Sequence, residues 1–150
     1  MRFVRPAGAL GALAAVLVAG CGSSYTKSDF VARADAICAG SLREVRASPT
    51  PSGGLARYMA TVLPIVESEA SELRALRPPP ESAGDRELLE RYRAALAGAA
   101  TAYRQLASAA DRGDPQGVAD AEAALRANPV DSLALSYGLR TCGSPGRTVG

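Results

Sequence analysis

Glu67, Glu69 and Glu72 fall close together in the chain, and Asp85, Glu87 and Glu90 form a second acidic group after Pro78-Pro79-Pro80. Carboxylates so spaced could hold a hard cation through oxygen or divide acid and base roles. Their surroundings argue against both. The 150 residues include no histidine, which removes Ser-His-Asp and Cys-His catalysis, the Glu-x-x-His di-iron arrangement and Cys-x-x-Cys-His haem attachment. A Ser–Lys dyad would have to use Lys27, the only lysine, which lies in a polar tether near the start. No G-x-x-x-x-G-K phosphate loop is present. Glu87–Arg91 and Glu122–Arg126 stand four residues apart, a spacing worth about 0.2–0.5 kcal/mol on a helix surface. The expectation is a solvated acidic face, with no metal, no cofactor and no catalysis. Asp35 differs: at about 100° per residue it falls beside an apolar helix face. It is expected to be partly buried in a structural ion pair with an arginine such as Arg140.

The chain carries 17 Lys+Arg and 15 Asp+Glu. Arg2 and Arg5 lie in residues 1–20, which hold no acid, so the remainder carries fifteen of each sign. The pI of about 8.6 thus comes from the first residues. Without basic excess or interleaved aromatics there is no nucleic-acid footprint.

Arg2 and Arg5 precede an unbroken run of Ala, Gly, Leu and Val from Ala7 to Ala19. That order and length suit a secretory signal and fall short of the ~20 residues of a spanning helix. Val18-Ala19-Gly20-Cys21 then resembles the lipobox of bacterial lipoproteins. In that family a diacylglycerol is attached to the cysteine sulfur and the signal is cut just before it. The resemblance implies a signal peptide over 1–20, lipidation of Cys21, and a membrane anchor on the extracytoplasmic face. Two acyl chains give stable anchoring where one is marginal. An ordinary signal cut nearby would instead leave Cys21 free or disulfide-bonded.

If Cys21 is acylated, Cys38 and Cys142 remain as a pair in an oxidising compartment. They lack metal-ligand spacing, so a disulfide is the simplest assignment. It would close a loop of about 104 residues, worth ~4–5 kcal/mol in chain-entropy terms.

These residues must be positioned by helices. Residues 21–27 form the tether, 28–143 a single helical domain and 144–150 a flexible tail. Ser28 suits an N-cap, and Phe30, Ala34, Ile37, Cys38, Ser41 and Val45 share one face to a stop near Ala47. Leu55, Met59, Val62, Val66, Ala70 and Leu73 form a second stripe with Pro64 inside it, where a kink is expected. The third begins at or near Ser82 and is ended by Asp111-Arg112-Gly113-Asp114, with Leu89, Leu96, Ala100, Tyr103 and Ala107 inward and Tyr92 at the edge. Asp114-Pro115 starts the fourth, which Pro129 interrupts. Leu133, Leu135, Tyr137 and Leu139 also alternate like a strand, but a lone strand would lack a partner, so helix is kept for 130–139. The expected fold is an all-α, antiparallel four-helix bundle, kinked at Pro64 and Pro129, with one disulfide.

DFVARADAIC, LRALRPPP and YGLRTCG together resemble a functionally uncharacterised group of small secreted or lipid-anchored proteins of high-GC Gram-positive bacteria. Its members are similar in a Phe-x-x-x-Ala-Asp-x-Ile-Cys opening and a Gly-Leu-x-x-Cys-Gly ending. The resemblance spans most of 28–143 and implies structural positions, with no catalytic residue to carry over. The function expected is a non-enzymatic accessory or protein-interaction domain, anchored to the membrane through Cys21 and working with an envelope protein. The alternative is a small-molecule binding or sensing lipoprotein with its ligand between the helices.

Overall fold

The computed structural model describes residues 24–48 and 53–144. Their regular structure is all helical: α1 (Lys27–Ala47), α2 (Gly54–Ala75), α3 (Ala83–Asp111), α4 (Pro115–Ala127) and α5 (Val130–Tyr137). None of these helices is long and apolar enough to cross a membrane.

The helix ends follow local chemistry. Thr26, two residues before the expected cap, opens α1 with a capping box. Its hydroxyl accepts from the Asp29 N–H at 3.2 Å, and the Asp29 carboxylate accepts from the Thr26 N–H at 2.8 Å. Hydrogen bonds from the Thr26 hydroxyl and then the Thr26 backbone hold the Asp29 carboxyl below its ordinary value. Lys27, assigned to the tether from sequence, is the first residue of this helix. Ser82 caps α3 through the Asp85 N–H, and Asp114 caps α4 through the Gly117 N–H, with Pro115 at the first helical position. α2 runs unbroken through Pro64.

The fourth helical stretch is divided. Asn128 is extended, at φ −75° and ψ 127°, because the proline ring after it disfavours the helical region. Its amide ties the corner: Nδ2 donates to the Ala95 carbonyl at 3.0 Å, and Oδ1 accepts from the Val130 N–H at 2.9 Å. Beyond it residues 130–137 are helical, as expected. Leu133 and Tyr137 share the buried side while Leu135 is 52% exposed, the helical and not the strand outcome. Gly138, at φ 107°, ends α5. The Leu139 N–H reaches the Ala134 carbonyl and the Gly138 N–H the Leu135 carbonyl, a left-handed stop that glycine makes without steric cost.

α3 is the centre: it packs on α2, α4 and α5, while α1 packs on α2. Helix α3 therefore buries residues well beyond one stripe, including Ala99, Ala102, Leu106 and Ala109. Tyr92, expected at its edge, lies fully inside. Two core clusters result. The larger joins Phe30, Ala34 and Cys38 of α1 with Leu73, Leu89, Tyr92, Tyr137 and Leu139. The smaller gathers Met59, Tyr103, Leu106 and Ala121.

Candidate functional site

Cys38 and Cys142 are joined by a disulfide, with Cα atoms 5.3 Å apart. Both are buried. Around the bridge the opening and closing motifs meet. Phe30 stacks edge-on against Tyr137 with ring centroids 5.6 Å apart. Ala34 and Leu139 are wholly buried. Gly143 is also buried, and a Cβ there would lie 2.5 Å from the Leu135 Cγ and 2.8 Å from the Asp131 carbonyl oxygen.

Asp35 is half-buried, as expected, but its partner is different. Its carboxylate accepts from the backbone N–H groups of Arg140 (3.1 Å), Thr141 (2.9 Å) and Cys142 (3.1 Å). The expected ion pair with the Arg140 side chain is replaced by a cap on the closing turn, because three successive N–H groups there would otherwise be orphaned. Asp35 is thus committed to structure.

The acidic groups disperse. Glu67 and Glu72 are exposed, with Glu67 3.4 Å from Arg104. Glu122 meets Arg126 at 3.4 Å as expected, whereas Glu87 and Arg91 make no ion pair. Asp85 accepts from the Lys27 ammonium at 2.6 Å, and that bond, more than any other cause, holds its carboxyl below the ordinary value. Lys27 also lies 4.4 Å from the centre of the Tyr137 ring. Nearby, Glu81 has both carboxylate oxygens shielded from water without a hydrogen-bond partner. Burial, then repulsion from Asp85, pushes its carboxyl up. Among the described residues no group of three or more His, Cys, Asp or Glu could hold a metal ion.

Glu69 is the exception to the solvated face. It is only 7% exposed, the one buried charged residue among those described. Its spacing carried the signal: three residues after Val66 and four before Leu73, it belongs to the buried stripe of α2. An Oε1 atom lies 3.9 Å from the Cys38 sulfur; a disulfide sulfur has no proton to give, so this is van der Waals contact.

Glu69 lines a cavity of about 70 Å³, partly open to solvent, between α2, α3 and the α4–α5 corner. Val66, Ala70, Leu96, Ala99, Ala100, Leu125 and Val130 form its apolar wall, with Tyr92, Tyr103, Asp131 and Cys142 completing it. Buried apolar surface with a few convergent polar groups is the usual make-up of a small-ligand site. The volume is about half that of a ~150 Å³ cavity that takes benzene, so only a few heavy atoms fit.

Val18, Ala19, Gly20 and Cys21 lie outside the described residues. Compared with family models, curated proteins and solved structures, the chain matches none of them.

Proposed function

We propose that this chain is an extracytoplasmic lipoprotein, cut between Gly20 and Cys21 and held on the cell membrane by acyl chains on Cys21. In this proposal it is a member of the small helical lipoproteins that its motifs resemble. The single observation that carries the proposal is the buried Cys38–Cys142 bridge. Structural disulfides belong to oxidising compartments, and this one takes two of three cysteines. That leaves Cys21, at the end of a signal-like run, as the remaining thiol. The domain begins at Thr26, so Gly22 to Thr26 span at most ~18 Å, and the domain lies close to the lipid surface.

Its role there is that of a non-enzymatic accessory or interaction domain for an envelope protein. This is supported by the absence of histidine and by the structural use of Asp35. The helices are inferred to run antiparallel, up-down-up-down, with a bend at Pro64 and a turn at Pro129. Two contacts support the antiparallel course of α2 and α3: Arg93 donates to the Leu76 carbonyl and Arg104 to Glu67, so later residues of α3 meet earlier residues of α2.

A second function, ligand binding between the helices, is favoured by one observation, the Glu69 cavity.

Metabolic labelling with a lipid precursor tests the anchor. The wild type should carry label and partition with membranes, and Cys21→Ser should do neither. Release of both forms without label would overturn the anchor.

A further inference from the structure

We propose that the Glu69 cavity binds a small organic cation, the ammonium or methylated ammonium head of an amine. This rests on the second function above, ligand binding between helices, and is independent of the lipid anchor.

The chemistry of the wall selects the class. Two carboxylates, Glu69 and Asp131, and two tyrosines, Tyr92 and Tyr103, are set in an otherwise apolar lining that includes no lysine or arginine. Carboxylates beside tyrosine rings favour a cation whose methyl or methylene groups can lie on apolar walls. An anion would meet two like charges. A divalent metal would want six or more oxygen ligands, which this lining does not supply. Glu69, Asp131, Tyr92 and Tyr103 already interact within the fold, so a ligand N–H would share a carboxylate with those partners, as the several lone pairs of a carboxylate allow. Burial raises the worth of that contact, since a charge pair is stronger where water is excluded. The cavity volume admits the head group alone, with any longer substituent leaving by the open side.

The test uses the full mature chain in a non-ionic detergent with isotopically labelled tyrosine rings. It is titrated with trimethylammonium chloride, with sodium chloride as the ionic-strength control and tert-butyl alcohol as a neutral probe of similar shape. Saturable shifts of Tyr92 and Tyr103, with Tyr25 and Tyr58 unmoved, are expected for the ammonium salt alone. Glu69→Gln should weaken binding about tenfold or more. Ala99→Leu, which fills the cavity, should abolish the shifts even if Glu69→Gln does not fold. Equal binding of the neutral probe overturns the cation assignment and leaves a ligand site standing. No saturable shift from either probe overturns both.

Discussion

The carboxylate of Asp35 accepts a hydrogen bond from the backbone N–H of Cys142 at 3.1 Å, one helical turn from Cys38, to which Cys142 is bonded. One stretch of α1 therefore grips the end of the chain twice, once covalently and once electrostatically. Locating Cys142 by three hydrogen bonds to its turn brings the two sulfurs together without help from the Arg140 side chain.

Asp35→Ala should cost about 3 kcal/mol, because it strands up to three N–H groups in a half-buried turn. Arg140→Ala should change stability by no more than about 0.5 kcal/mol, since only its backbone is used. Denaturant unfolding of the two variants separates these outcomes; equal losses would restore the side-chain ion pair.

Reduction of the bridge should lower the melting temperature by roughly 15 °C. The sequence separation of 104 corresponds to ~4–5 kcal/mol of lost chain constraint. Cys38→Ser and Cys142→Ser should each match the reduced protein, and the double variant should be no worse. Intact-mass measurement before and after reduction and alkylation checks the bond itself. Two free thiols in protein from an oxidising compartment would sink it.

Gly143→Ala should destabilise by about 1–3 kcal/mol, the usual range for overpacking. The added methyl would meet both Leu135 and the Asp131 backbone, and the backbone oxygen cannot swing aside. Gly84→Ala serves as the control, because nothing lies within 4 Å of a Cβ there. If thermal melts place the two variants together, the close approach at Gly143 is wrong.

Glu81 supplies a pH test. Burial raises its folded-state value above the unfolded one. A group shifted in that direction contributes stability that is fully present below its unfolded value, about 4.3, and is lost as pH rises through the folded value. Glu81→Gln should therefore raise the melting temperature at neutral pH, by about 2 °C at most, because Lys27, Arg86 and Arg93 offset part of the cost of the shielded charge. The gain should fade toward pH 4. A gain that grows on acidification would contradict the assignment.

Much of this molecule is written locally. The capped starts at Ser82 and Asp114-Pro115, the stop at Gly138 and the apolar stripe of α2 all act over one or two turns, so spacing alone reveals them. Cysteine count and the lack of histidine are likewise fixed by composition alone. What neighbours along the chain cannot decide is which side of a helix meets a partner. Tyr92 reads as an edge residue until α3 is seen packed on α2, α4 and α5. Glu69 shares the α2 stripe with Val66 and Leu73, but its charge is placed inside only once α3 and the α4–α5 corner pack over that stripe. Asp35 reads as the mate of a guanidinium until the closing turn presents its N–H groups more than a hundred residues away. Burial of charge and satisfaction of distant backbone depend on contacts between segments far apart in sequence, and those exist only once the helices have packed.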